Sequence, residues 1–321
     1  AGPVSRSAAL RAGTGHGLDP SVPTVLVVHA LTGDARAAGP GGWWAPLVGP
    51  GRPLDPARIR ILCANNLGSC YGTSGPLDEG WPADVTRLTP WDQARAIWAL
   101  LDALGVPRLR LATGASLGGM IALCLAVLRP GAVERLLPIG TASASSAWVT
   151  GWNHVQRQLL RLDPGWPSDV GRGLELARQL AMLTYRAEPS LDARQHRTAG
   201  RSEAPWTLPI QSYLEHQGRK LRRRFDARAY LLQLDAMDAH DLDAPPPGTP
   251  GGPLGTHALC VDIDTDQLFT PAQVDVLADW LTAHGAEARR ATVHSPHGHD
   301  AFLIEWEALD PLVRLALGST P

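Results

Sequence analysis

Ser116 stands in Gly114-Ala-Ser-Leu-Gly118, a G-x-S-x-G stretch. Five residues alone carry little weight, but the flanks here supply the mechanics. A strand-like run leads in, an apolar helical run leads out, and small residues sit on both sides of the serine. A sharp strand-to-helix turn lifts such a hydroxyl above a sheet edge and sets it at a helix N-terminus, where developing negative charge is favoured. A serine nucleophile needs a base, and the base needs an acid to orient it. His299, in Ser295-Pro-His-Gly-His-Asp-Ala-Phe302, fits the base, because that loop follows the last expected strand and precedes the last helix. His294 and His297 are its rivals and read as loop polarity. A three-histidine metal site is disfavoured, since no Cys or carboxylate cluster accompanies it at a zinc spacing. The acid is sought in Val261-Asp-Ile-Asp-Thr-Asp266. Asp262 lies inside the apolar run, and spacing alone leaves Asp264 and Asp266 both open.

A tetrahedral oxyanion needs backbone N–H donors. One is expected from Leu117, directly after the serine. The other is expected from the loop His29-Ala-Leu31-Thr-Gly-Asp34, which follows the first strand. His29 itself reads as structural, orienting its own loop.

These residues require a scaffold that delivers them to one edge. Thr24–Val28 and Ile59–Cys63 are continuous apolar, β-branched runs, as strands buried on both faces are. A helix is expected over 90–104, with Thr89 as cap, Pro90 at its first position and Asp92 completing a capping box. Next come a strand over 108–113, the serine turn, an apolar helix over 117–128 and a strand over 136–140. That alternation predicts an α/β fold with a mostly parallel sheet flanked by helices. From 146 to 243 strand-like runs vanish and amphipathic stretches appear (155–162, 174–185, 227–238). A Pro/Gly-rich connector follows over 244–256. Strand and helix alternation then returns over 257–263, 271–284, 288–293 and 301–317. The expected organisation is a core first part at 1–145, a helical insertion at 146–243, the connector, and a core second part at 257–321. Residues 1–20 carry little periodicity.

Composition excludes several classes. With 321 residues, 44% of them hydrophobic and 19% charged, the chain has material for a real core and is not of disordered composition. A net charge of −2 gives no global field for nucleic acid or anionic membrane. No apolar run reaches a membrane span, and Ala1-Gly-Pro3 does not begin a secretory signal. Four widely spaced cysteines read as reduced thiols, hence a cytoplasmic expectation. Arg219-Lys-Leu-Arg-Arg-Arg224 puts five positive charges in six residues and holds the sole lysine. It reads first as a solvated helix face, with attraction of coenzyme A phosphates as the alternative.

Taken together, ordered blocks over roughly 24–310 resemble the homoserine O-acyltransferases of the α/β-hydrolase superfamily. They are His29-Ala-Leu-Thr-Gly-Asp34, Gly42-Trp-Trp44, Leu47-Val-Gly-Pro-Gly51, Asn65-Asn-Leu-Gly-Ser-Cys-Tyr-Gly-Thr-Ser-Gly-Pro76 and Gly114-Ala-Ser-Leu-Gly-Gly-Met120. Farther on are Trp152-Asn-His-Val-Gln-Arg-Gln158, Ala177–Arg186, Gln211-Ser-Tyr-Leu214, Asp264-Thr-Asp-Gln-Leu-Phe269 and Gly298-His-Asp-Ala-Phe-Leu303. The resemblance implies an α/β-hydrolase fold with an inserted helical lid, Asp266 as the acid and His299 as the base of a Ser116 triad. It implies Leu31 and Leu117 as oxyanion donors, and Arg178, Tyr185 and Asp300 as the acceptor site. Arg178 and Tyr185 lie seven residues apart and so share a helix face. An Arg suits a substrate carboxylate, and an Asp suits its ammonium. The implied reaction is ping-pong transfer of an acetyl or succinyl group from acyl-CoA to homoserine, in methionine biosynthesis. A serine O-acyltransferase or an esterase on the same scaffold are the alternatives. No bound cofactor or metal is expected, and a homodimer through the lid helices is. Here Leu117 follows the nucleophile where Met is more familiar, Ala115 precedes it where Gly is, and residues 77–88 are compact.

Overall fold

A computed structural model describes residues 22–82, 84–168, 170–195 and 208–318. The weakly patterned residues 1–20 lie outside the described residues, as do parts of the 146–243 insertion. The first half contains β1 (Thr24–Val28), β2 (Arg60–Ala64), α1 (Pro90–Ala103), β3 (Leu111–Ala115), α2 (Leu117–Leu128) and β4 (Arg135–Ile139). A helical segment follows, with α3 (Ala147–Arg161), α4 (Gly171–Tyr185), α5 (Glu188–Gln195), α6 (Pro209–Arg222) and α7 (Ala227–Asp238). The chain then returns to the sheet with β5 (His257–Ile263), α8 (Pro271–Ala283), β6 (Glu287–Val293) and α9 (Trp306–Leu317). Among the described residues the strands form one sheet in the order β2-β1-β3-β4-β5-β6, every pairing parallel.

The apolar strand runs have the physical cause anticipated for them. Leu26 and Val28 face a layer with α1, α2 and α8, whereas Val25 and Val27 face Trp44, Leu47 and α9. With both faces covered, alternation gives no advantage, and each buried Leu or Val contributes roughly 1.5–3 kcal/mol. The α1 start forms as its sequence dictates: Thr89 Oγ1 accepts from the Asp92 amide, and Asp92 accepts from the Thr89 amide. The Trp44 indole, fully buried, donates to Phe302 O at 3.0 Å and ties the early loop to the segment carrying His299.

Within the sheet layers, two boundaries differ from expectation by more than one residue, and in the helical segment α3 and α4 start earlier than expected, at Ala147 and Gly171. The third strand runs over 111–115, not 108–113. Gly114 and Ala115 read as turn residues, yet they pair with Val28 of β1 and Ile139 of β4. Parallel pairing on both sides overrides their low strand propensity. The last helix does not run from 301. Residues Gly298–Leu303 form a 3-10 turn, Ile304 leaves helical geometry, and α9 starts at Trp306.

The helical segment is anchored to the sheet layers by polar contacts. Gln233 of α7 accepts from Gln93 of α1 and donates to Leu67 O at 2.9 Å. Within the segment, Arg157 of α3 pairs with Asp235 and Asp238 of α7. Asp226 caps α7 by accepting from the Arg228 and Ala229 amides.

Candidate active site

β3 ends at Ala115 and α2 begins at Leu117, so the whole reversal falls on Ser116. Its backbone has φ 55° and ψ −126°, the one positive φ outside glycine among the described residues. A non-glycine side chain there is strained, and the surrounding structure must hold it. The hold is visible: the Ser116 amide donates to Ile139 O at 2.9 Å, at the end of β4. Close approach fixes the neighbours as glycine. A Cβ on Gly118 would meet Val28 O at 2.3 Å and His29 O at 2.9 Å. Thus the N-terminus of α2 lies directly on the 29–33 loop, and the two expected oxyanion donors share one edge of the sheet. Neither the Leu31 nor the Leu117 amide has a hydrogen-bond partner among the described residues.

The same edge carries the expected base and acid. His299 Nδ1 lies 2.6 Å from Asp266 Oδ2, with both side chains buried. The other Asp266 oxygen accepts from the Leu268 and Phe269 amides at 2.7 and 3.0 Å. Its acceptor geometry leaves the Nδ1 proton on His299 and frees Nε2 to accept. Burial pulls the His299 pKa down, but the charge and hydrogen bond of Asp266, aided by Asp300, outweigh it. The net shift is upward from the ordinary value. Phe269, Phe302 and Tyr185 surround the ring, with centroids 5.4, 5.6 and 5.8 Å away. Gly140, the residue after Ile139, has φ 51° and lies against this pair. A Cβ there would sit 3.4 Å from Asp266 Oδ2 and 3.5 Å from the His299 ring. One strand end therefore contacts Ser116 on its carbonyl side and the His299–Asp266 pair on the next residue.

The ambiguity between Asp264 and Asp266 resolves by direction. Asp264 accepts from the Ser295 amide at 3.0 Å and pairs with the exposed His294 at 2.9 Å. Asp262, at the sheet, faces Arg290 and Thr292. His297 meets the Ser190 hydroxyl at 2.8 Å. Burial, then the positive Arg194 nearby, lowers its pKa.

His29 is fully buried, with its pKa lowered to about 4 by burial. Nε2 accepts from the Asn66 amide at 3.0 Å, so Nδ1 carries the proton and donates to Ala30 O at 2.8 Å. It orients its own loop, as the sequence suggested.

α4 brings Tyr185, one of the expected acceptor residues, to the same histidine, with Arg178 beside it. Arg178 Cζ lies 5.5 Å from the Tyr185 ring centroid, on the helix face their spacing implied. Tyr185 reaches the His299 ring. Asp300 is buried beside it, with one partner that the sequence did not nominate. Arg186 Nε approaches Asp300 Oδ2 at 3.1 Å, off the hydrogen-bond axis. Tyr213 of α6 feels the charges of Arg186, Asp300 and Arg178, although burial is what chiefly raises its pKa. Both residues fall inside the quoted blocks Ala177–Arg186 and Gln211–Leu214, but only tertiary packing gives them a place. Among the described residues, no group of three His, Cys, Asp or Glu side chains is arranged to hold a metal, and no helix is long and apolar enough to cross a membrane.

A parallel sheet with a strained serine elbow, and a His–Asp pair on loops after later strands, defines an α/β-hydrolase architecture. Comparison with known proteins agrees: a family model described as alpha/beta hydrolase fold matches residues 23–305. A homoserine O-acetyltransferase from Moorella thermoacetica is 38% identical, over 90% of this chain and 84% of that protein. Two solved structures share the fold. A homoserine O-acetyltransferase from Bacillus anthracis has a TM-score of 0.83 at 22% identity, covering 93% of this chain and 88% of that one. An acetylester hydrolase from Corynebacterium glutamicum has 0.78 at 16%, covering 97% and 89%. The chain belongs to the homoserine O-acetyltransferase family, O-acyltransferase enzymes of the α/β-hydrolase fold.

Proposed function

We propose that this enzyme transfers an acetyl group from acetyl-CoA to the hydroxyl of L-homoserine through an acyl-Ser116 intermediate, serving methionine biosynthesis. One observation carries the reading: His299, paired with Asp266, has its ring 5.8 Å from that of Tyr185, over which Arg178 lies. In the first half, Ser116 Oγ gives its proton to His299 Nε2 and attacks the thioester carbonyl. The Leu31 and Leu117 amides receive the oxyanion. The tetrahedral adduct collapses, the C–S bond breaks, and the thiolate takes the proton from His299. In the second half, the homoserine hydroxyl loses its proton to His299 and attacks the acyl-serine, and Ser116 recovers its proton as the ester leaves. Arg178 holds the acceptor carboxylate by a forked pair, and Asp300 its ammonium. Helices α4 and α6 cover the site as a lid and exclude water, so that the alcohol receives the acyl group. No bound cofactor enters this scheme, and acyl-CoA is a co-substrate.

Release of CoA from acetyl-CoA, followed with and without L-homoserine, tests the reading. Sustained turnover is expected only with the acceptor. Equal turnover without it would identify an esterase. Arg178→Lys is expected to raise the homoserine KM roughly tenfold, the scale of one charged hydrogen bond, while the first acylation stays intact.

We also propose that two copies pair through the lid helices. Trp148, Val155 and Leu162 lie on one face of α3 or just past its end, at 55, 44 and 77% exposure. Light scattering on purified protein is expected to give twice the monomer mass.

A further inference from the structure

We propose that Arg224, in the link between α6 and α7, is a positioning residue for the oxyanion hole, acting on the Leu31 amide through the turn that carries it. The inference rests on the acyl-transfer reading above.

The observations form a directed chain. Gly33 N–H donates to Ala30 O at 2.9 Å, closing a four-residue turn with Leu31 and Thr32 at its corner. Arg224 Nη1 donates to Thr32 O at 2.6 Å, and Nη2 lies 3.4 Å from Thr32 Oγ1. Arg224 Nη1 also donates to the Tyr71 hydroxyl at 2.9 Å, a second anchor for the same end of the guanidinium. Thr32 O and Gly33 N–H belong to one peptide group. Ala30 O and Leu31 N–H belong to another. A cation at Thr32 O therefore polarises the Gly33 N–H. That group donates to Ala30 O, and the Leu31 N–H on the opposite side of that peptide becomes a stronger donor. Hydrogen bonds in series reinforce one another in this way. His29 Nδ1 adds a second donor to Ala30 O at 2.8 Å, with the same sense. The free end of the chain is the Leu31 amide, which has no partner among the described residues.

This separates Arg224 from the rest of the basic run. Arg219 pairs with Glu215 and Arg222 with Glu175, each on its own helix surface or the neighbouring one. Lys220 and Arg223 are exposed, as Arg224 is, but have no side-chain partner among the described residues. Only Arg224 reaches the loop beside Ser116. Its side chain comes from the helical segment, so the same contact couples the placement of α6 and α7 to the quality of the oxyanion hole.

The experiment is a single-turnover measurement of CoA release from acetyl-CoA by the full-length enzyme, without homoserine. Arg224→Met, Arg224→Lys and Arg223→Met are compared with the parent. Deleting a whole oxyanion donor costs about 10²–10³-fold. Arg224→Met keeps the donor but loosens and depolarises it, so acylation about tenfold slower is expected. The homoserine KM should stay within about twofold, since Arg178 and Asp300 are untouched. Arg224→Lys should recover part of the rate, because an ammonium still reaches Thr32 O without the forked contact to Tyr71. Arg223→Met should match the parent. A trifluoromethyl ketone analogue of acetyl-CoA supplies the readout that a merely structural role would not move. It forms an oxyanion adduct with serine, so its affinity should fall in step with the acylation rate, while inhibition by CoA itself stays constant. Parental acylation by Arg224→Met would overturn the proposal. So would an equal loss in Arg223→Met, which would make the run a diffuse cation, or slowed acylation with undiminished ketone affinity. A parent enzyme that forms no acyl-enzyme would instead overturn the acyl-transfer reading itself.

Discussion

Replacing Asp266 by Asn probes the site where its chemistry is most constrained. One Asp266 oxygen accepts two amide protons, from Leu268 and Phe269, and the other accepts the His299 Nδ1 proton at 2.6 Å. An Asn side chain can occupy this position one way only. Its oxygen must face the Leu268 and Phe269 amides, because the NH2 group would meet two donors there. The NH2 group then points at His299 Nδ1, which must become an acceptor. The proton moves to Nε2, the atom that has to receive the Ser116 proton. Geometry is preserved while the tautomer is inverted, and the expected loss in kcat is roughly 10⁴-fold, or about 5 kcal/mol of barrier. Stability should change little, since one hydrogen bond is altered at a cost of about 1 kcal/mol, a shift of a few degrees in Tm. Steady-state CoA release and thermal unfolding on the same preparation separate the two effects. The carboxylate is also what holds the His299 pKa up against burial. The acid limb of the residual activity should therefore move to lower pH in the variant. An Asp266→Asn enzyme within tenfold of the parent kcat, or one whose acid limb moves up, would refute the assignment of acid and base.

Other outcomes follow from the same contacts. Gly118→Ala should give little soluble protein, because its Cβ would lie 2.3 Å from Val28 O, backbone that cannot yield without breaking the β1–β3 pairing; expression and circular dichroism check this. The parent rate should rise with pH through a limb centred above the ordinary histidine value of 6.5, since the base works only when unprotonated and its pKa is raised. Stability should run differently with pH. His29 and His240 are buried with pKa values lowered to about 4, so between pH 6.5 and 4 the unfolded chain takes up protons first. Stability then falls with falling pH, by about 3 kcal/mol per histidine at full extent. His299 acts in the opposite sense: its contribution is present below 6.5 and is lost as pH rises through its raised folded value. Urea unfolding between pH 4 and 7.5 should show the net fall on acidification, and a flat profile would contradict the burial of the two neutral imidazoles.

The serine elbow was legible because its local requirements are written locally: a strand-forming run, small neighbours and an apolar helix, all within 108–128. His299 was legible from its position between the last strand and the last helix. The choice between Asp264 and Asp266 was not, since both stand past the end of β5 and two residues of turn decide which carboxylate points inward. Structure separates them by the Ser295 amide, which takes Asp264, and by the Leu268 and Phe269 amides, which fix Asp266. Arg186 carries no local signal at all. It meets Asp300 only because the end of α4 packs on the turn holding His299. Arg224 likewise looked like part of a charge run until the fold set it against Thr32. The offset in β3 has a related origin. Small residues next to Ser116 read as a turn in isolation, but parallel neighbours on both sides extend the strand to them.

The central claim is a covalent intermediate on Ser116, and intact-mass analysis tests it directly. Enzyme mixed with acetyl-CoA, without homoserine, is expected to gain the mass of one acetyl group, to lose it on addition of L-homoserine, and to gain nothing as Ser116→Ala. An adduct that survives in Ser116→Ala, or one that homoserine does not discharge, would contradict the account.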